Sequence, residues 1–65
     1  MMAKEIQKIM VDKEIKKGEL AERCGWTAPN LYNKLKRDNF STADLETIAE
    51  ALGMKLVIKF EPKEN

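Results

Sequence analysis

Apolar residues recur at helical intervals over four stretches of this chain and alternate singly over a fifth. From Met1 to Lys13, Ile6, Ile9 and Met10 share one face, Val11 widens the stripe, and Lys4, Glu5 and Lys8 lie outside. Ile15, in the connection that follows, is suited to plug the top of a core. Lys16 to Cys24 reads as a second helix with Leu20, Ala21 and Cys24 inward and Glu19, Glu22 and Arg23 outward. The third, Thr27 to about Arg37, turns Leu31 and Leu35 inward. Asp38-Asn39-Phe40 is a loop, with Asn39 fitted to a turn and Phe40 to an anchor in the core. Leu45, Ile48, Ala49 and Leu52 then repeat at spacings of three and four in a fourth helix.

Punctuation residues agree with these boundaries. Gly25 stands where a helix ends in a left-handed turn, and Thr27 can cap the next helix. Pro29 then falls in the first turn, where its missing N–H costs nothing. Ser41 or Thr42 caps the fourth helix, with Asp44 near the positive end of its dipole, and Gly53 stops it. Two short helices joined by a tight glycine turn, here Lys17 to Arg37, are the sequence form of a helix-turn-helix.

After Gly53 the period changes to two. Met54, Leu56, Ile58 and Phe60 fall on one side, and Lys55, Val57, Lys59 and Glu61 on the other, until Pro62 ends the run. This predicts a strand over 54–61, and a lone strand needs a partner for its backbone. The simplest is the same strand of a second copy across a twofold axis, with Met54, Leu56, Val57, Ile58 and Phe60 as dimer contacts. The alternative is a tail folded onto its own helices or paired with residues 1–4. The expected fold is therefore mostly α: four short helices with a central helix-turn-helix, plus one C-terminal β-strand pairing across a dimer. Residues 1–65 form one domain, with a helical core at 3–53 and a polar tail at 62–65.

Composition narrows the chemistry. At 43% apolar and 35% charged, the chain has the balance of a globular domain, too apolar for disorder. One cysteine allows no internal disulfide or cysteine metal cage, and histidine is absent, removing the commonest general base and metal ligand. With no glycine-rich phosphate loop and no paired acids in a pocket, neither an enzyme, a metal nor a cofactor is expected. No apolar run approaches the roughly 18 residues of a membrane span, and the amino terminus lacks a signal pattern, so a cytoplasmic chain without a membrane partner is expected. The net charge of +1 says little, but residues 1–40 hold nine Lys/Arg against six Asp/Glu, and Lys34, Lys36 and Arg37 cluster without an acid. One face can be basic while the total is nearly neutral.

Ile15, Leu20-Ala21, Gly25, the Thr27 cap, Leu31 and the Ile48-Ala49-Glu50-Ala51-Leu52-Gly53 ending together resemble the Xre/Cro-type helix-turn-helix regulators, which include the lambdoid phage repressors. The likeness covers residues 3–53, and the alternating tail is similar to the carboxy-terminal dimerisation strand of Cro-like members. Three positions depart from the pattern. Lys16 stands where the family usually caps the second helix with Ser or Thr, and Lys17 replaces the usual Gln that touches the DNA backbone. Leu35 follows Leu31 by four residues rather than three, with Lys34 between.

The resemblance implies a sequence-specific, homodimeric, repressor-like regulator that binds double-stranded DNA at an inverted repeat, with Thr27 to Arg37 in the major groove. A helical wheel with Leu31 and Leu35 inward turns Pro29, Asn33 and Lys36 outward, with Asn30, Tyr32 and Arg37 on the flanks. Asn33 can pair with an adenine edge, and Ala28 and Pro29 can pack on a thymine methyl. Lys17, Thr27, Asn30, Tyr32, Lys36, Arg37 and Asn39 suit phosphate contacts, and Tyr32 serves equally as a solvated face. Trp26 and Cys24 read as core. No small-molecule ligand is expected, because no separate ligand domain is present. The alternative function is a protein-interaction module, such as an antitoxin-like autoregulator that binds a partner.

Overall fold

Four helices form in chain order: α1 Met2–Asp12, α2 Lys17–Cys24, α3 Ala28–Arg37 and α4 Thr42–Ala51. The structure, a computed structural model, describes residues 2–63. The expected helix start at Met1 and the last two tail residues lie outside that range. Each helix contributes its apolar stripe to one core: Ala3, Ile6 and Met10 from α1, Leu20 and Ala21 from α2, Leu31 and Leu35 from α3, Ile48 from α4. Leu20, Leu31 and Ile48 are fully buried and mark its centre. Ile15 closes the core between α1 and α2, and Leu52 closes it after α4. Phe40, Trp26 and Cys24 pack against it half-buried. Burial pushes the Cys24 thiol above its ordinary value, which keeps it protonated and unreactive. Val11 does not widen the α1 stripe; it stands 75% exposed.

All four helices end alike. A residue in the left-handed region follows each one, and the next N–H reaches back five residues to a helix carbonyl. Gly25 (φ 77°) is followed by the bond from Trp26 N–H to Ala21 O at 2.8 Å, and Gly53 (φ 70°) by that from Met54 to Ala49 at 2.8 Å. Glu14 (φ 56°) and Asp38 (φ 52°) do the same without being glycine, with Ile15 bonded to Met10 at 2.8 Å and Asn39 to Lys34 at 3.3 Å. These stops force reversals after short helices, which is how 65 residues bring four helices to one core.

Helix starts are more varied. Thr27 Oγ1 accepts from Asn30 N–H at 3.2 Å, and Pro29 sits in the first turn of α3. Ser41 and Asp44 form a reciprocal capping box on α4: Ser41 Oγ accepts from Asp44 N–H at 3.0 Å, and Asp44 Oδ2 from Ser41 N–H at 3.1 Å. Lys16 has the extended backbone of a cap, but its side chain makes no capping bond to α2. Arg23 ties α2 to the end of α4 by donating to Ala51 O at 3.2 Å, and it pairs with Glu19 at 2.7 Å.

The predicted strand over 54–61 does not form. Among the described residues there is no β-strand, and the chain beyond Gly53 runs without regular structure. The physical reason is the absence of an edge to pair with. The rest of the molecule is helical, and helices spend their backbone groups internally. Beyond the bond from Met54 N–H that ends α4, the segment has no backbone hydrogen bond to the domain among the described residues. The alternation is not realised in burial either: Leu56 is half-buried, while Val57 and Ile58 are more than 60% exposed and Phe60 is fully exposed. The C-terminal strand, and the pairing of two chains strand to strand, are therefore set aside.

Candidate nucleic-acid interface

The outer side of α3 is uncovered along its whole length. Leu31 and Leu35 point inward at 0% and 5% exposure, whereas Ala28, Pro29, Asn30, Tyr32, Asn33, Lys36 and Arg37 are exposed. That split follows from the 3.6-residue repeat, because one apolar stripe buries one face and leaves the rest to solvent. Asn33 and Lys36, opposite the stripe, carry the amide and the ammonium that could meet a base edge and a phosphate.

Two elements add groups beside this face. Lys17, at the start of α2, brings its ammonium 5.5 Å from the centroid of the Tyr32 ring. This cation–π contact between exposed groups contributes about 0.5–1 kcal/mol and holds the α2 amino end alongside the middle of α3. On the other side, Thr27, Asn30, Asn33, Lys34, Arg37 and Asn39 line an open polar cleft of about 430 Å³. Asn39 belongs to the loop after α3, so the cleft runs from the first turn of the helix to that loop. Thr27 has committed an acceptor lone pair to its cap, which leaves its hydroxyl hydrogen as the group it can offer. The structure thus brings together Thr27, Asn30, Asn33, Arg37 and Asn39 in one cleft, and separately Lys17 with Tyr32. Ala28, Pro29 and Lys36 are exposed on α3 outside both groupings.

Lys34 differs from its basic neighbours. Its Nζ lies 3.0 Å from Asp44 Oδ2 and 5.3 Å from the centroid of the Trp26 ring, with its side chain only 27% exposed. Lys36 and Arg37 are exposed and make no ion pair among the described residues. The basic cluster therefore presents two cations, with the third answered by a carboxylate. Reasoning from sequence missed this link. Its one signal was Lys34 standing three residues after Leu31, at the edge of the inward stripe, where an apolar residue was expected.

An amino-end cap, a glycine elbow and an exposed second helix make α2 and α3 a helix-turn-helix with its second helix open to a partner. The family model for the Cro/C1-type HTH DNA-binding domain matches residues 5–57, so the chain belongs to that family and its partner is double-stranded DNA. Comparison with curated proteins and with solved structures returned no match. The match takes in most of α1 and all of α2, α3 and α4, and makes the protein a DNA-binding transcription regulator of Cro-like type. No helix among the described residues is long and apolar enough to cross a membrane.

Proposed function

We propose that the protein is a cytoplasmic, repressor-like regulator that reads an inverted-repeat operator as a pair of identical chains, each with α3 in the major groove. The observation that carries this reading is the uncovered outer face of α3, with Asn33 and Lys36 in solvent and Leu31 and Leu35 buried opposite. Asn33 presents donor and acceptor together to an adenine edge, and Ala28 and Pro29 pack on thymine methyls. Lys17, Thr27, Asn30, Tyr32, Lys36, Arg37 and Asn39 hold phosphates; such contacts set register and dominate salt dependence.

Pairing of two chains uses the apolar side chains of the irregular tail after α4: Met54, Leu56, Val57, Ile58 and Phe60. Val57, Ile58 and Phe60 stand 65%, 61% and 101% exposed, an apolar surface that nothing among the described residues covers. Two α3 helices then address half-sites about 34 Å apart.

Selection of bound duplexes from a random pool tests the proposal. Recovery of an inverted repeat with half-sites one helical turn apart is the expected result. A single unrepeated half-site would remove the paired reading, and no enrichment would remove sequence-specific recognition.

A further inference from the structure

Three parts of the fold meet at Lys34. Its stem leaves α3 beside the buried Leu31 and Leu35, and its ammonium lies over Trp26 in the elbow between α2 and α3. The same ammonium donates to Asp44 Oδ2 at 3.0 Å, the oxygen that also accepts from Ser41 N–H at the start of α4. Both side chains of the pair are sheltered, at 27% and 22% exposure, so the contact is screened less than a pair standing free in solvent. Lys34 nevertheless lines the rim of the polar cleft with Asn33, Arg37 and Asn39. Were Asp44 uncharged, this ammonium would be an unanswered cation at the cleft where phosphates are proposed to lie.

We infer that Asp44 is a specificity-determining residue that acts through Lys34: it withholds one cation from the DNA backbone and fixes α3 against the start of α4. The inference rests on the proposal that this side of α3 faces DNA. A free ammonium at the cleft adds attraction to every duplex alike, because phosphates carry no sequence. A helix held at one angle presents Asn33 to one base pair, and release of the tie lets that register drift. Both consequences of losing the Asp44 charge lower the ratio of operator binding to random binding. Lys34 is accordingly a positioning residue and Asp44 its counter-ion.

The test compares the full chain with Asp44→Asn, Lys34→Met and the double variant, binding a selected duplex and a random-sequence duplex over a range of salt concentrations. Asparagine still offers an oxygen to Ser41 N–H, and methionine keeps an unbranched stem against Trp26. Asp44→Asn is expected to bind the random duplex about five- to tenfold more tightly at low salt, with a salt slope steeper by about 1. Lys34→Met is expected to keep the parent slope on random DNA while losing preference for the selected duplex, and the double variant to match it. An Asp44→Asn variant that keeps its helical circular dichroism and binds random DNA no more tightly would overturn the inference. So would a Lys34→Met slope shallower than the parent by about 1, because Lys34 would then already be on a phosphate. That second measurement decides the matter even if Asp44→Asn does not fold. Failure of the parent chain to prefer any duplex would instead strike the proposed function, and this inference with it.

Discussion

The backbone N–H of Ala3 donates to Asp38 Oδ1 at 2.9 Å, so the residue that ends α3 also caps the start of α1. The two residues are 35 positions apart, and the bond joins the first helix to the far end of the proposed recognition helix. Asp38 does this from the left-handed region, at φ 52°, which Asp tolerates better than most residues. Asp38→Asn retains both an acceptor and that tolerance. Asp38→Gly relieves the backbone but removes the acceptor, and Asp38→Ala loses both advantages. Urea denaturation is expected to rank stability parent, Asn, Gly, Ala, with alanine lower by about 2 kcal/mol. Alanine as stable as the parent would show that neither the cap nor the turn matters.

Glu14 tests the turn alone. It is exposed at φ 56° and makes no side-chain hydrogen bond among the described residues, yet it ends α1 as Gly25 ends α2. Glycine at that position relieves the crowding of Cβ against its carbonyl, at a smaller cost in unfolded-state entropy. Glu14→Gly should therefore stabilise the domain by about 0.5–1 kcal/mol, read as a rise of about 3–6 °C in thermal midpoint for a chain of this size. A fall would mean that the acidic side chain contributes something its exposure conceals.

The contrast between Gly25 and Glu14 shows what was legible in the chain. Helix stops could be read where glycine marks them, and the Thr27 and Ser41 starts could be read from their side chains. The stop at Glu14 carries no such mark, because packing elsewhere imposes the left-handed turn on an unspecialised residue, while at Asp38 the loop could be read but not which residue takes the turn. The core was legible from period, with Val11 the exception: a stripe can be wider in sequence than the neighbours available to cover it. The exposed face of α3 followed from Leu31 and Leu35. The Lys34–Asp44 link did not, because a contact across the loop between two helices leaves no period. The tail misled for a related reason. Alternation describes one chain, whereas a strand is a property of two.

Within the proposed interface, Asn33 and Lys36 stand on the same exposed side of α3 but carry different chemistry. Asn33→Ala removes a paired donor and acceptor and should cost about 1–3 kcal/mol on the selected duplex, with little change on random DNA. Lys36→Ala removes a point charge and should weaken both alike, with a salt slope shallower by about 1. Titrations of both variants against both duplexes distinguish these outcomes. Equal losses from the two substitutions on both duplexes would dissolve the assignment of one to bases and the other to the backbone.

Asp44 links this face to acid stability. The Ser41 N–H holds its carboxyl below the ordinary aspartate value, and the Lys34 ammonium adds to the effect. The folded state thus binds the proton less tightly than the unfolded state. The stability contributed by the carboxylate is fully present above the unfolded value, about 3.9, and is lost as pH falls through the folded one. Denaturation midpoints followed from about pH 6 to about pH 3 should decline less steeply for Asp44→Asn than for the parent, with the two curves converging in acid. Parallel curves would mean that the carboxylate and its partners do not stabilise the fold.

Ile58 and Phe60 stand 61% and 101% exposed beyond α4. Neither packs on the core, so replacing both with serine should leave the helical circular dichroism and thermal midpoint of the isolated domain nearly unchanged. If the tails join two chains, Ile58→Ser/Phe60→Ser should lower the sedimenting mass from that of a pair to that of one chain at micromolar concentration. Affinity for a full inverted repeat should fall steeply, while affinity for an isolated half-site stays the same, because the variant loses the gain from linking two readers. A parent chain that sediments as a monomer at the same concentration would remove pairing in free solution. A variant that binds the full repeat as tightly as the parent would show that these side chains take no part in bringing two chains to the operator.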